Sequence, residues 1–230
     1  MSPARVLLSW SSGKDSAWAL KALRETGDVE VAGLLTTLNA THGRVAMHAV
    51  RERLLDLQAE ATGLPLWKVP LPWPCPDGTY EGLMAGVLDR CRAEGIQAVA
   101  YGDLFLADVR AYREARHAGT GIGTCFPLWG IPTAELALAM VAGGLRATLT
   151  CVDPKQLDPR FAGRDFDASL LADLPPTTDP CGENGEFHSF AWDGPMFEHP
   201  VPVEKGAIVE RDGFVFVDLT PVRALASELP

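Results

Sequence analysis

Arg5-Val6-Leu7-Leu8-Ser9-Trp10-Ser11-Ser12-Gly13-Lys14-Asp15-Ser16-Ala17-Trp18-Ala19-Leu20-Lys21-Ala22-Leu23 is the stretch that decides the fold. Arg5 to Trp10 is an apolar run of strand length, and from Ala17 the apolar residues recur at helical spacing. A tight polar turn, Ser11–Ser16, joins the two. A strand, turn and helix in that order leave helix N-terminal N–H groups without intrahelical partners. The helix dipole adds partial positive charge there, so an anion is the natural ligand. Gly13 lets a phosphate approach the backbone or supplies a positive φ. Ser9, Ser11, Ser12 and Ser16 offer hydroxyls, and Lys14 a mobile positive charge. Asp15 suits a phosphate cradle only if it caps the helix or holds Mg²⁺ against the phosphates. The plain alternative is an ordinary capped helix start. A Walker A loop, GxxxxGK[ST], is absent.

The remaining elements extend outward from this unit. Asp28–Thr37 is the next strand, and its carboxyl end brings Thr36 to the same rim as the loop. A helix over Met47–Ala61 follows, then a strand at Leu64–Val69. Pro70–Pro76, with four prolines in seven residues, cannot be helical. Further helices are expected at Thr79–Glu94 and Leu106–Ala118, and further strands at Gln97–Tyr101 and Thr124–Phe126. Strands alternating with helices imply a five-stranded parallel sheet covered on both faces, with ligands outside the carboxyl ends of its strands. That rule gathers Ser9–Ser16, Thr36–Asn39, Gly102-Asp103 and Phe126–Trp129 on one rim. Beyond Gly130 the character changes: a helix at Pro132–Val141, a strand at Leu145–Val152, a proline-rich stretch, and a hairpin turning at Arg211-Asp212-Gly213. The expected division is residues 1–130 as a nucleotide-binding α/β domain and 131–230 as a smaller α+β domain that binds the acceptor.

Composition bounds the function. The chain has 230 residues, 47% hydrophobic and 22% charged, with a net charge of −10. An acidic surface argues against broad, salt-driven binding to nucleic acid, though not against a nucleotide held by one loop. No apolar run of about 18 residues exists, so no membrane span is expected. The early first strand leaves no room for a signal peptide. The five cysteines are scattered without a CxxC pair, which gives reduced thiols and a cytoplasmic setting as the expectation. The sequence leaves open whether copies assemble as a homo-oligomer.

A second constellation is Cys181-Gly182-Glu183-Asn184-Gly185-Glu186-Phe187-His188-Ser189-Phe190. Two glycines around Asn184 demand a sharp turn before a strand-like Phe187–Trp192. If the chain is extended from Glu186, then Glu186 and His188 share a face. A carboxylate and an imidazole placed so can bind ammonium, hold a metal or move protons. On composition alone, an exposed turn with solvated charges is the favoured reading.

The two motifs together resemble one family. Ser11–Ser16 resembles the SGGxDS pyrophosphate loop of the PP-loop ATP pyrophosphatases, with Ser12 in place of the first glycine. Gly182–His188, GENGEFH, is the hallmark of the diphthine–ammonia ligase family within that group. Met47-His48, Gly102–Leu106 and Pro127–Gly130 agree with it, so the resemblance runs from about residue 5 to residue 192 and fits the family's short members. It implies a HUP-type nucleotide domain and an ATP-dependent ligase that adenylates a carboxylate, releases pyrophosphate, and couples the acyl group to ammonium. Ser9, Ser11, Ser12, Gly13, Lys14, Asp15, Ser16, Thr36, Gly102 and Asp103 would bind ATP, with Mg²⁺ on Asp15 or Asp103. Lys14 would offset charge on the departing pyrophosphate. Lys14, Asp15, Glu183, Glu186 and His188 would form the catalytic set, and Arg110, Trp129, Gly182, Asn184 and Gly185 the acceptor site.

For single residues the plainer readings stand alongside. Asp103 is equally a helix cap, and for Trp129 interdomain packing is favoured over a stacking platform. Asp108, Arg110, Arg113 and Glu114 form a salt-bridged helix face, from which Arg110 is singled out. His48 is a lone histidine near a helix start. Cys181 lies nearest the site among thiols with no catalytic pattern. No glutaminase nucleophile is evident, so free ammonium is the expected nitrogen source. A tRNA-modifying PP-loop enzyme is the alternative among enzymes, and a nucleotide-sensing module the alternative outside them.

Overall fold

The computed structural model describes residues 3–40, 44–45 and 50–222. The first part of the chain forms β1 (Ala4–Ser9), α1 (Lys14–Thr26), β2 (Val29–Asn39), β3 (Arg44–Val45), α2 (Glu52–Thr62), β4 (Leu66–Leu71), α3 (Asp77–Ala93), β5 (Ala98–Ala100), α4 (Ala107–His117) and β6 (Gly123–Cys125). The second part forms α5 (Thr133–Ala142), β7 (Arg146–Val152), α6 (Ala168–Asp173), β8 (Phe187–Asp193), β9 (Val203–Arg211) and β10 (Phe214–Pro221).

Five strands are parallel, in the spatial order β4-β2-β1-β5-β6, as the strand–helix alternation requires. The alternation of β1 explains how both faces are covered. Val6 and Leu8 join one buried cluster with Leu20 and Leu23 of α1 and Leu54 and Leu55 of α2. Leu7, pointing the other way, joins Val87, Leu88 and Cys91 of α3. The short β3 pairs antiparallel with the end of β2, an addition the polar composition of that stretch did not suggest.

Helix α2 begins later than its apolar pattern suggests. Arg51 is extended, with φ −67° and ψ 141°, and serves as the cap before Glu52. Met47 and His48 lie outside the described residues.

The second sheet is antiparallel, in the order β8-β7-β10-β9. Its hairpin is longer than the sequence pattern indicates, and the proline-rich stretch contains the short helix α6, capped by Asp167 accepting from the Leu170 N–H at 2.8 Å. One apolar core runs through both sheets, from Trp10 and Trp18 to Leu149, Phe187 and Phe190. Buried Gln58 fastens the junction. It accepts from Trp10 Nε1 at 2.9 Å and donates to the carbonyls of Ser12 at 3.0 Å and Ala191 at 2.6 Å. No helix among the described residues is long and apolar enough to cross a membrane.

Candidate functional site

The loop after β1 is held from both sides. The Trp10 N–H donates to Leu35 O at 2.7 Å, and the Ala191 N–H of β8 donates to Ser12 O at 2.9 Å. Ser12 is fully buried at φ 71°, the left-handed region that disfavours side chains, and its Oγ has no partner among the described residues. The one departure from the pyrophosphate-loop pattern thus falls where a glycine would be least strained. Gly13 is the α1 cap position and brings no side chain to satisfy the first turn. The Lys14 N–H instead donates to Ser189 Oγ of β8 at 3.2 Å. Ser16 Oγ donates to Gly13 O at 3.0 Å and lies 3.2 Å from Ser11 Oγ. Gly102 packs against this first turn so closely that a Cβ would stand 3.1 Å from the Ser16 nitrogen.

A cavity of about 300 Å³ opens at this end of α1. Ser9, Ser11, Gly13, Lys14, Asp15 and Ser16 line one side, with Gly102 and Asp103 beside them. Gly182, Glu183, Gly185 and His188 line the other, so the structure brings the two sequence motifs face to face. Gly182 has φ 71°, and a Cβ there would meet Phe187 O at 2.8 Å, which makes glycine obligatory for the turn.

Six expected residues are placed elsewhere. Ser12 lies beneath the loop. Thr36 donates to Trp10 O at 2.7 Å from inside the sheet. Arg110 lies over the rings of Phe126 and Trp129, at 4.9 and 4.7 Å, and pairs with Glu114 at 2.8 Å. Trp129 is therefore an aromatic packing partner at this position. Asn184 and Glu186 do not line the cavity. Glu186 Oε1 accepts from the Asp179 N–H at 2.9 Å and from Asn184 Nδ2 at 3.1 Å, stapling the turn from within. Strand β8 begins only at Phe187, so Glu186 belongs to the turn and the shared-face alternation with His188 does not apply.

Lys14 is not a mobile phosphate ligand. Its side chain is 2% exposed, and Nζ donates to both oxygens of Asp15, at 2.9 and 2.8 Å, and to Cys181 O. The ammonium also lies 5.5 and 5.4 Å from the ring centres of Phe166 and Phe187. Burial works against its charge, but Asp15 more than restores it, so Lys14 is held above the ordinary lysine value. The first residue of α1 is in effect a bolt between the loop and the turn.

Glu183 carries the most informative electrostatics. Its Oε1 accepts from the Leu104 N–H at 2.8 Å, and its own N–H donates to Asp179 Oδ2 at 2.9 Å. Burial, aided by the negative charge of Asp15, pushes its carboxyl up to about 7. Burial, with Lys14 nearby, lowers His188 to about 4, so its imidazole is neutral at pH 7. The buried Cys181 thiol is pushed up to about 12 and is no nucleophile at neutral pH.

Asp103 does not cap α4, whose cap position is Leu106. It pairs bidentately with Arg113, at 2.5 Å from Nε and 3.1 Å from Nη2. Asp15 and Asp103, the expected Mg²⁺ carboxylates, therefore do not fit a protein-held divalent ion, since each is neutralised by a cation. Among the described residues no group of three or more His, Cys, Asp or Glu side chains is arranged to hold a metal.

Sequence reasoning missed Arg113, Tyr101 and Ser189, all of which line the cavity. Arg110 and Arg113 share a helix face, and linear spacing does not tell which meets Asp103. Ser189 follows His188 directly, and only the β8 register turns it toward α1.

Comparison with known proteins agrees with this arrangement. Residues 4–115 match the family model of the diphthamide synthase N-terminal domain, and residues 133–219 that of the C-terminal domain. The chain is also similar to a diphthine–ammonia ligase of Bos taurus, 23% identical over 248 residues, which covers 98% of this chain and 92% of that protein. Matched through both sheets, and through both motifs that meet in the cavity, the chain belongs to the diphthamide synthase family.

Proposed function

We propose that this chain is an ATP-dependent ligase that converts a carboxylate into an amide through an acyl-adenylate. Its family and the name of its bovine relative support the reading. The single observation that carries it is Glu183, its carboxyl raised to about 7, facing the amino end of α1 across one cavity.

In the first step an acceptor carboxylate oxygen bonds to the α-phosphorus of ATP, and the bond to the pyrophosphate oxygen breaks. The amino end of α1, with Ser9, Ser11, Gly13 and Ser16, would hold the phosphates. The Lys14–Asp15 pair would act by fastening the loop to the turn. In the second step ammonia adds to the acyl carbon and AMP leaves with the electron pair of the broken bond. Glu183, deprotonated above pH 7, would bind ammonium and take its proton, since only neutral ammonia can attack. Neutral His188 would complete the polar wall, and the backbone at Gly182 and Gly185 would receive the acceptor. The carboxylate of diphthine, the substrate in the relative's name, is the first acceptor to offer.

Chromatography of the nucleotide products tests this reading. With an acceptor-bearing extract fraction and ammonium, ATP is expected to give AMP and pyrophosphate. ADP as the product would overturn the adenylation chemistry. ATP bound without turnover in any fraction would leave a nucleotide-sensing module.

A further inference from the structure

A second cavity, of about 310 Å³, lies between α3 and α4. Met84, Ala85 and Leu88 of α3 form an apolar side, and the rings of Tyr80 and Tyr112 stand beside it. Three arginines line it, Arg92, Arg113 and Arg116, against two carboxylates, Glu81 and Asp89, in a chain whose net charge is −10. Tyr101 and His117 of its wall are already paired. Tyr101 Oη and His117 Nε2 are 2.9 Å apart, and His117 Nδ1 lies 3.1 Å from Ile122 O, so that nitrogen is assigned the proton.

Two of the three cations are exchangeable, whereas Arg113 is held in a part-buried bidentate pair with Asp103. Arg92 pairs with Asp89 and Arg116 with Glu81, both at the surface, where such pairs contribute little. A carboxylate can take the place of either partner at small cost, and the arginine fork favours it. Aromatic walls favour a planar body, and the volume suits a small ligand. Tyr101 and Arg113 line this cavity and the one at α1 alike. The Arg113 guanidinium, 4.3 Å over the Tyr101 ring, holds Asp103 on the α1 side.

From this we infer that the cavity between α3 and α4 binds a small planar aromatic carboxylate. Its carboxylate pairs with Arg92 or Arg116, while Arg113 keeps its bidentate pair with Asp103.

The probes are benzoate and indole-3-carboxylate, with benzamide as the uncharged control, followed by saturation-transfer NMR on the full chain. Both carboxylates are expected to bind at millimolar concentration, and benzamide more weakly. Ala85 is exposed, so Ala85→Phe fills the mouth without touching the core and should abolish probe binding while the circular dichroism stays unchanged. Absence of probe binding, or equal binding to Ala85→Phe, would overturn the site.

Discussion

The Lys14 ammonium donates to the Cys181 carbonyl, joining the first residue of α1 to the turn that carries Glu183. The bond spans 167 positions of the chain and lies beside an ion pair whose ammonium is buried and whose Asp15 carboxylate is 26% exposed. Removing the cation orphans the carbonyl and leaves Asp15 to partial solvation. Lys14→Met should therefore lose about 1–3 kcal/mol of stability, measured by urea unfolding. Unchanged stability together with weakened ATP binding would mean that Lys14 reaches the phosphates after all.

Ser12 predicts the opposite sign. Its left-handed backbone and orphaned buried hydroxyl both oppose the folded state. Ser12→Gly should raise stability by about 1 kcal/mol, a rise of about 2–4 °C in Tm for a chain of this size. A lowered Tm would show that the hydroxyl has a role the fold conceals.

Gly102 sets the width of the phosphate side. A methyl at this position would stand 3.1 Å from the backbone of Asp15 and Ser16. Gly102→Ala should push the α1 terminus aside, weakening ATP binding at least tenfold by calorimetry and costing about 1–3 kcal/mol of stability.

Glu183 gives a pH signature. Its carboxyl, raised to about 7, must be ionised to accept a proton from ammonium. Amide formation should therefore rise with pH through an apparent pKa near 7. Glu183→Gln should remove that limb and lower the rate by about 10²–10⁴-fold. The stability sign follows from the same shift. The folded value lies above the ordinary value of 4.5, so the folded state holds the proton more tightly. Stability is lost as pH rises from 4.5 through 7, and Glu183→Gln should abolish that loss.

The alternation around Ser9–Trp10 was enough to anticipate the parallel sheet, because buried parallel strands and amphipathic helices leave different apolar periods. That the Gly13 loop and the Gly182 turn serve one site was implied only by family resemblance. Nothing local in either stretch encodes a contact between them. Glu186 shows a limit of period-2 reasoning. The rule holds inside a strand, and the strand begins one residue later. Arg113 shows another, since adjacent turns of α4 carry equivalent arginines and only the end of β5 decides which one pairs with Asp103.

The most direct test of the proposed chemistry is exchange of labelled pyrophosphate into ATP, run with an acceptor fraction and Mg²⁺ for wild type and Glu183→Gln. The account predicts acceptor-dependent exchange in both proteins, with amide formation lost only in the variant. Glu183 would then serve the ammonia step and the α1 loop the adenylation step. ATP binding without exchange in either protein would contradict the account.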